Sequence, residues 1–156
     1  MSDSVVTFLI VNKKILLGYK KQGKSLGKWC GIGGGYEEFD GSLENAAVRE
    51  FKEEVGVLVK GLKRVGTVKV KRADKSTNIF LFVANGFEGE IIETEEICPC
   101  WFGCSNLPLV MWDDAKIWLT CLLMGYDVCA EVEYNEEMEL VNFKMSFGEG
   151  RRTCEL

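Results

Sequence analysis

Hydrophobic and polar positions alternate along several short segments of the chain, a pattern typical of β-strands. Residues 5–11 and 14–19 are rich in strand-forming side chains and are separated only by Asn12 and Lys13, which predicts a hairpin. The same pattern predicts further strands at residues 62–70, 78–84, 99–103, 128–134 and 138–147. Asn135 and Glu136 lie between the last two segments, so we expect a second hairpin there.

Two segments follow a helical pattern instead. Residues 42–55 form the clearer one, because Ser42 can cap its N-terminus and Gly56 can end it. A second helix is predicted to begin within residues 111–114 and to end before Gly125. Since both helices lie between strands, we expect an α+β fold, an α/β/α sandwich with a mixed sheet and two main helices. No repeat or linker divides the sequence, which predicts a single domain over residues 1–156.

The composition excludes several kinds of chemistry. The chain has no histidine, so it has no Ser-His-Asp or Cys-His nucleophilic site and no zinc site built on histidine. Its net charge of -5, from 19 basic and 24 acidic residues, argues against binding to duplex nucleic acid. A small phosphate ligand is compatible with this charge if a divalent cation accompanies it.

Cysteine usage indicates a reducing compartment. The seven cysteines form no even framework of spacings, which is typical of reduced thiols in the cytoplasm. The spacing of Cys98, Cys100 and Cys104 matches no common zinc or iron–sulfur pattern, so we interpret them as core thiols rather than metal ligands. The sequence shows no signal-peptide pattern and no uninterrupted apolar span, and we therefore expect a cytoplasmic protein without a membrane partner.

Three carboxylates share one face of the first predicted helix. Glu50 is three and four residues from Glu53 and Glu54, and such like-charge pairs each cost a few tenths of a kcal/mol, roughly, unless a positive charge lies among them. A hard divalent cation is the natural occupant, although a solvated acidic face is the alternative. Arg49, one turn before Glu53, and the glycine-rich loop upstream favour a functional site.

The same helix carries a recognisable motif. Residues 49–57 read R-E-F-K-E-E-V-G-V and follow Gly34 and Gly35. This stretch resembles the Nudix box, G-x5-E-x7-R-E-U-x-E-E-x-G-U with U a bulky aliphatic or similar residue, and its second half is matched at every fixed position. The segments L-L-G-Y-K-K at 16–21, P-C-W-F at 99–102 and M-W-D-D at 111–114 are similar to landmarks of MutT-like Nudix hydrolases of oxidised purine nucleoside triphosphates, especially the mammalian type.

This resemblance implies an activity. The expected reaction is hydrolysis of an oxidised or ordinary purine nucleoside triphosphate to the monophosphate and pyrophosphate, with Mg2+ as cofactor and Mn2+ as the alternative. The expected partner is a small-molecule nucleotide bound by a monomer. The chemistry of the residues agrees, because cleaving a pyrophosphate link requires neutralised phosphate charge and an oriented water, and neither needs histidine.

The resemblance also implies a role for individual residues. Metal ligands and catalytic carboxylates would be Glu50, Glu53, Glu54 and, from a later loop, Glu96. Arg49 would orient the glutamates, and Lys20 would approach the phosphates. The remaining substrate-binding residues would be Cys30, Gly34, Gly35, Trp112, Asp113 and Asp114.

Some positions leave alternatives open. Gly41 stands where the box has a glutamate, and Glu37, Glu38 or Asp40 are candidates for its supporting role. Loss of that glutamate motivates a catalytically silent nucleotide-binding module as one alternative. A Nudix hydrolase of a dinucleoside polyphosphate, a nucleotide sugar or a capped RNA end is another.

Simpler structural roles are also open at three places. Trp112 has a second interpretation as core packing, and one residue of the Asp113–Asp114 pair is expected to cap the second helix. The basic run at residues 69–75, which includes Arg72, is interpreted as a solvated hairpin tip, with attraction of a polyphosphate as the alternative.

Overall fold

A computed structural model describes residues 2–148. The helices are α1, Leu43–Val55, and α2, Asp113–Leu123, and a short 3-10 turn spans Glu38–Asp40. The strands are β1 Ser2–Val11, β2 Lys14–Lys20, β3 Trp29–Cys30, β4 Ile32–Gly35, β5 Leu58–Lys60, β6 Lys63–Arg72, β7 Lys75–Ala84, β8 Gly86–Glu88, β9 Ile97–Gly103, β10 Val128–Tyr134 and β11 Leu140–Phe147.

Nine of the strands in this described part form one mixed sheet. Its main path runs β11-β10-β6-β7-β1-β2-β3, with β4 paired to β1 and β9 paired to β2. β1 is central, because it pairs in parallel with β7 and antiparallel with both β2 and β4. β10 runs parallel to β6, and β5 and β8 form a separate two-stranded sheet.

The two helices cover opposite faces of the main sheet. Side chains alternate along β1, so Phe8 packs into the cluster that contains Leu119 of α2, whereas Leu9 packs into the cluster that contains Phe51 of α1. Both clusters consist of buried apolar side chains. The expected α/β/α sandwich with a mixed sheet and two main helices is therefore confirmed.

The ends of α1 follow the expected capping chemistry. The Ser42 hydroxyl accepts a hydrogen bond of 3.0 Å from the Asn45 backbone N–H, and Gly56 ends the helix in the left-handed region with φ 85°. α2 begins within the predicted range, at Asp113, but its N-terminal cap differs from expectation. Trp112 lies at its N-cap position and makes no side-chain capping bond, so the expectation of an aspartate cap is wrong.

The longer strands lie close to their predicted positions, whereas the shortest elements were missed. β3, β4, β5 and β8 contain two to four residues each, too few for an alternating pattern to show.

In the described part of the chain, no helix is long and apolar enough to cross a membrane. Cys98, Cys100 and Cys104 are free thiols, and Cys100 is exposed, so its assignment to the core is wrong.

Candidate active site

The predicted carboxylates meet in one cleft. Glu50, Glu53 and Glu54 project from α1, and Glu96 lies in the loop just before β9. All four line a cleft of about 550 Å³. The remaining lining residues are Gln22, Thr94 and Glu95. Residues separated by more than forty positions in the sequence thus form one acidic surface, as the resemblance implied.

Glu54 is the least solvated of these carboxylates. The residue is only 8% exposed, and its Oε2 atom is buried without a hydrogen-bond partner. Burial raises the pKa of Glu54 to about 6, with the negative charges of Glu96 and Glu50 adding to the rise and Lys20 opposing it. Burial likewise raises the pKa of Glu50. The carboxylates of the cleft therefore carry negative charge that the positively charged groups of the protein do not fully neutralise.

These residues fit a hard divalent cation. Among residues 2–148, no three acidic or thiol side chains already converge as ligands at metal-binding distances. Carboxylate oxygens are nevertheless the donors that Mg2+ prefers, and the unpartnered Glu54 Oε2 atom is the kind of buried acceptor that a cation satisfies. The Glu53 side chain also lines the cleft and is 60% exposed, so its carboxylate is accessible to an ion there.

Arg49 fixes the orientation of the acidic helix face. Its Nη1 atom donates to Glu50 Oε1 at 3.0 Å and to Glu53 Oε2 at 3.2 Å. On its other side, Nε and Nη2 donate to the two carboxylate oxygens of Asp40 at 2.7 and 2.8 Å. This bidentate geometry is the strongest form of the arginine–carboxylate pair. The Arg49 guanidinium holds the pKa of the Asp40 carboxyl below its usual value.

Asp40, the residue before Gly41, is the carboxylate of this turn that contacts Arg49. Asp40 is buried, and its Oδ2 atom also accepts the Glu37 backbone N–H at 2.9 Å. Glu37 and Glu38 are exposed and make no ion pair with Arg49. Gly41 follows the 3-10 turn with φ 76°, a conformation that favours glycine. Of the three candidates that the sequence left open, Asp40 is the one that contacts Arg49.

Gly34 lies where the chain passes closest to the acidic helix. A Cβ atom at this position would collide with the Glu50 carboxylate, so only glycine fits without displacement. Gly35 is exposed and lines neither the cleft nor the neighbouring cavity, so the structure does not bring it into contact with a substrate site. Its carbonyl oxygen instead accepts a 3.0 Å bond from Arg49 Nη2.

A second, largely apolar cavity of about 240 Å³ lies beside the cleft. Its aromatic walls are Phe8, Trp29, Trp112 and Trp118, and its polar walls include Lys20, Cys30, Arg72 and Asp114. Apolar walls with a few placed polar groups are typical of small-molecule sites. Five residues that the resemblance implied as substrate-binding line this one cavity: Lys20, Cys30, Gly34, Trp112 and Asp114.

Trp112 forms a wall of this cavity. Its Nε1 atom donates to the Ser25 hydroxyl at 2.8 Å, and its ring packs edge-on against Tyr134 with centroids 5.1 Å apart. Lys28 Nζ and the Arg72 guanidinium carbon lie over the indole ring, 4.6 and 4.5 Å from its centroid. Trp112 is half-buried, so its ring packs against Tyr134 and also lines the cavity.

The two aspartates have different surroundings. Asp114 is buried and lines the cavity, and its carboxylate accepts hydrogen bonds from the Tyr134 hydroxyl and, at 2.8 Å, from Trp118 Nε1. The Asp113 side chain is 64% exposed, lies 3.7 Å from Lys116 Nζ and does not line the cavity. The expectation that both aspartates bind substrate is therefore not supported by geometry at Asp113.

Arg72 is one of the cavity-lining residues that the sequence interpretation missed. It was assigned to a solvated hairpin tip, yet it lines the aromatic cavity. The signal was present in the alternation of β6: Val68 and Val70 are buried, so the side chain two residues further on lies on the same face of the sheet. Ser25 and Trp29 were missed for a different reason, because they lie in an irregular glycine-rich segment without periodicity.

The cleft and the cavity are adjoining parts of one site. Lys20 lines the cavity, and its positive charge acts on Glu54 in the cleft. Gly34 also lines the cavity, while its backbone lies against the Glu50 carboxylate. A ligand with an aromatic group in the cavity would thus place whatever is attached to it next to the carboxylates.

The chain is similar to several known proteins. The family model described as NUDIX domain matches residues 1–120. The chain is 33% identical over 155 residues to the oxidized purine nucleoside triphosphate hydrolase of Danio rerio, covering 89% of this chain and 99% of the relative. It is 29% identical over 136 residues to the Mus musculus protein of the same name, covering 85% and 86%.

Solved structures show the same fold. The MutT mutator protein of Bacillus halodurans superposes with a TM-score of 0.83 and 22% identity, covering 94% of this chain and 98% of its own. The NUDIX domain of Shewanella oneidensis NrtR, solved with ADP ribose, superposes with a TM-score of 0.64 and 20% identity, covering 78% and 87%.

Proposed function

Since this chain belongs to the NUDIX domain family, we propose that it is a Mg2+-dependent enzyme that hydrolyses oxidised purine nucleoside triphosphates to the monophosphate and pyrophosphate. The observation that carries the proposal is the junction of the carboxylate cleft with the aromatic cavity at Lys20 and Gly34. A base in the cavity would direct its triphosphate toward the acidic helix. The names of the Danio rerio and Mus musculus relatives support the same substrate class.

The residues that would hold the metal are Glu50, Glu53, Glu54 and Glu96. Held by these residues, Mg2+ or Mn2+ would neutralise charge on phosphate oxygens and would lower the pKa of a coordinated water. Lys20 adds positive charge on the side of the cleft that adjoins the cavity, where a polyphosphate would enter. A carboxylate of the cleft takes the proton of the attacking water, and the candidates for this role are Glu54 and Glu96, which both line the cleft.

Arg49 and Asp40 act as positioning residues in this proposal. Arg49 contacts Glu50 and Glu53 and is itself fixed by Asp40. A glycine at position 41 motivated the alternative of a catalytically silent module. Because the supporting ion pair is present through Asp40, the geometry favours an active enzyme.

The aromatic cavity would bind the base. Trp112 and its neighbouring rings supply an apolar enclosure, and the Asp114 carboxylate, buried at the cavity wall, can accept a hydrogen bond from a base N–H group. We propose that the enzyme acts as a cytoplasmic monomer on free nucleotides. Its free thiols and its net charge of -5 support this view.

A turnover assay tests the proposal. Purified protein with Mg2+ is offered 8-oxo-dGTP, 2-hydroxy-dATP and the ordinary dNTPs, and the release of pyrophosphate is measured. We expect turnover of at least one oxidised purine triphosphate, and loss of that activity in Glu54→Gln. Turnover confined to a dinucleoside polyphosphate, a nucleotide sugar or capped RNA would change the assigned substrate, and binding without turnover of any of these would favour the silent module.

A further inference from the structure

Arg72 is held over an aromatic wall of the cavity. It is the last residue of β6, and the alternation that buries Val68 and Val70 brings its side chain onto the same face. The guanidinium carbon lies 4.5 Å from the Trp112 ring centroid and 5.6 Å from that of Tyr134. Such contacts attract a guanidinium while leaving the N–H groups along its edge available for hydrogen bonds.

No protein acceptor uses these N–H groups. Among residues 2–148, the Arg72 guanidinium makes no hydrogen bond and no ion pair, and its Nε atom is buried without a partner. Arg49 and Arg64 provide the contrast, since both also lie over aromatic rings but have carboxylate partners. A cation with unused donors at the wall of a ligand cavity is a group prepared for an acceptor on the ligand.

The chemistry of purines determines which base suits this wall. Guanine-type bases carry an acceptor oxygen at position 6, whereas adenine-type bases carry an amino donor there. Arginine only donates, so it binds the 6-oxo group and opposes the 6-amino group. The Asp114 carboxylate, on the same cavity, only accepts when ionised, which suits the N1–H that accompanies a 6-oxo group.

From these observations we propose that Arg72 determines specificity, selecting 6-oxopurine nucleotides over 6-aminopurine nucleotides. The inference rests on the proposed function, since it assigns a base preference to the same site. It concerns a residue that the motif resemblance does not cover, and it depends on the unused donors of Arg72 rather than on the carboxylate cleft.

The test is the ratio of kcat/KM for 8-oxo-dGTP to kcat/KM for 2-hydroxy-dATP, measured with Mg2+ in the wild type and in Arg72→Met. Methionine keeps an unbranched apolar side chain against the aromatic wall but removes every donor. A lost guanidinium–base contact of this kind lowers kcat/KM for 8-oxo-dGTP by about 10- to 100-fold. The value for 2-hydroxy-dATP is expected to stay constant or to rise.

Two further variants separate base recognition from general damage. Arg64→Met removes a guanidinium that lies over Phe80 and Phe82, outside the cavity, and is expected to leave the ratio unchanged. Arg72→Lys keeps a donor and a positive charge, so it should retain part of the preference for 8-oxo-dGTP. An equal loss for both substrates in Arg72→Met would indicate a phosphate contact or a merely structural wall, and would overturn the inference.

A binding measurement keeps the inference independent of turnover. Calorimetric titration with GMP and AMP is expected to show tighter binding of GMP to the wild type and loss of that difference in Arg72→Met. If no purine triphosphate is hydrolysed but this preference appears, the proposed function fails while the assignment of Arg72 stands. If the wild type binds the two monophosphates equally, the assignment fails whatever the enzyme hydrolyses.

Discussion

Replacing Glu54 by glutamine should stabilise the metal-free protein while abolishing activity. The Glu54 carboxyl is buried with one oxygen lacking a partner, and its pKa is raised from 4.5 to about 6. The folded state therefore binds the Glu54 proton more tightly than the unfolded state does. Below pH 4.5 the group is protonated in both states, and as the pH rises through 6 the folded state carries a growing penalty from its buried charge.

The size of this penalty follows from the shift. A pKa change from 4.5 to about 6 corresponds to about 2 kcal/mol in the free energy of unfolding above pH 6. Glutamine has nearly the same shape and carries no charge. Glu54→Gln should therefore raise the free energy of unfolding by up to this amount. For a chain of this length the gain corresponds to a rise in Tm of roughly 4–8 °C at pH 7.5.

The assay is thermal and urea unfolding of wild type and Glu54→Gln in EDTA at pH 4.5 and pH 7.5. Glu53→Gln is the matched control, because it makes the same change of side chain at a position whose side chain is 60% exposed, so it should not raise Tm by a comparable amount. Added Mg2+ should then stabilise the wild type more than Glu54→Gln, since it binds only where ligands are present. Equal or lower stability of Glu54→Gln at pH 7.5 in EDTA would refute this reasoning.

Three other substitutions test the supporting residues. Asp40→Asn weakens the hold on Arg49, and kcat/KM should fall by about 10- to 100-fold while the fold persists by circular dichroism. Gly34→Ala places a methyl group against the Glu50 carboxylate, so kcat/KM with Mg2+ should fall roughly 10-fold. Gly41→Glu restores the family residue at a position with φ 76°, and urea unfolding should show a loss of about 1 kcal/mol without a gain in kcat/KM.

Two of these substitutions have a matched control variant in the chain. Glu38→Gln removes an exposed carboxylate from the same turn as Asp40 and should leave kcat/KM unchanged. Gly35→Ala adds a methyl group that meets nothing within 4 Å, so its effect should be several-fold smaller than that of Gly34→Ala. A fully active Asp40→Asn enzyme, or higher activity in Gly41→Glu, would show that Asp40 does not replace the missing glutamate.

The acidic helix could be predicted from sequence because its information is local. The spacing of Glu50, Glu53 and Glu54 places them on one face whatever surrounds them, and the cap at Ser42 and the end at Gly56 are signals within the segment. The resemblance then supplied Glu96, which no local pattern indicates. The contact between Asp40 and Arg49 was left open, because it depends on how the 3-10 turn folds back toward α1.

The aromatic cavity was less accessible to sequence reasoning. Its walls come from the glycine-rich segment, β6 and α2, which meet only in the folded chain. The position of Arg72 is not predicted by its charge, because a run of basic residues is usually solvated, whereas the alternation of buried valines along β6 continues to it. Asp113 and Asp114 are adjacent in sequence, and only the start of α2 at Asp113 determines which of them is directed into the cavity.

The division of the site between separate elements has an evolutionary consequence. The hydrolytic groups belong to α1 and the loop before β9, whereas Arg72 and Trp112 lie on other parts of the fold. Substitutions in the cavity wall can therefore change the base specificity during evolution while the residues that act on the phosphates stay the same. Gly34 does not share this tolerance of substitution. It lines the cavity and lies against the Glu50 carboxylate, so any side chain there disturbs both the base site and the acidic cleft.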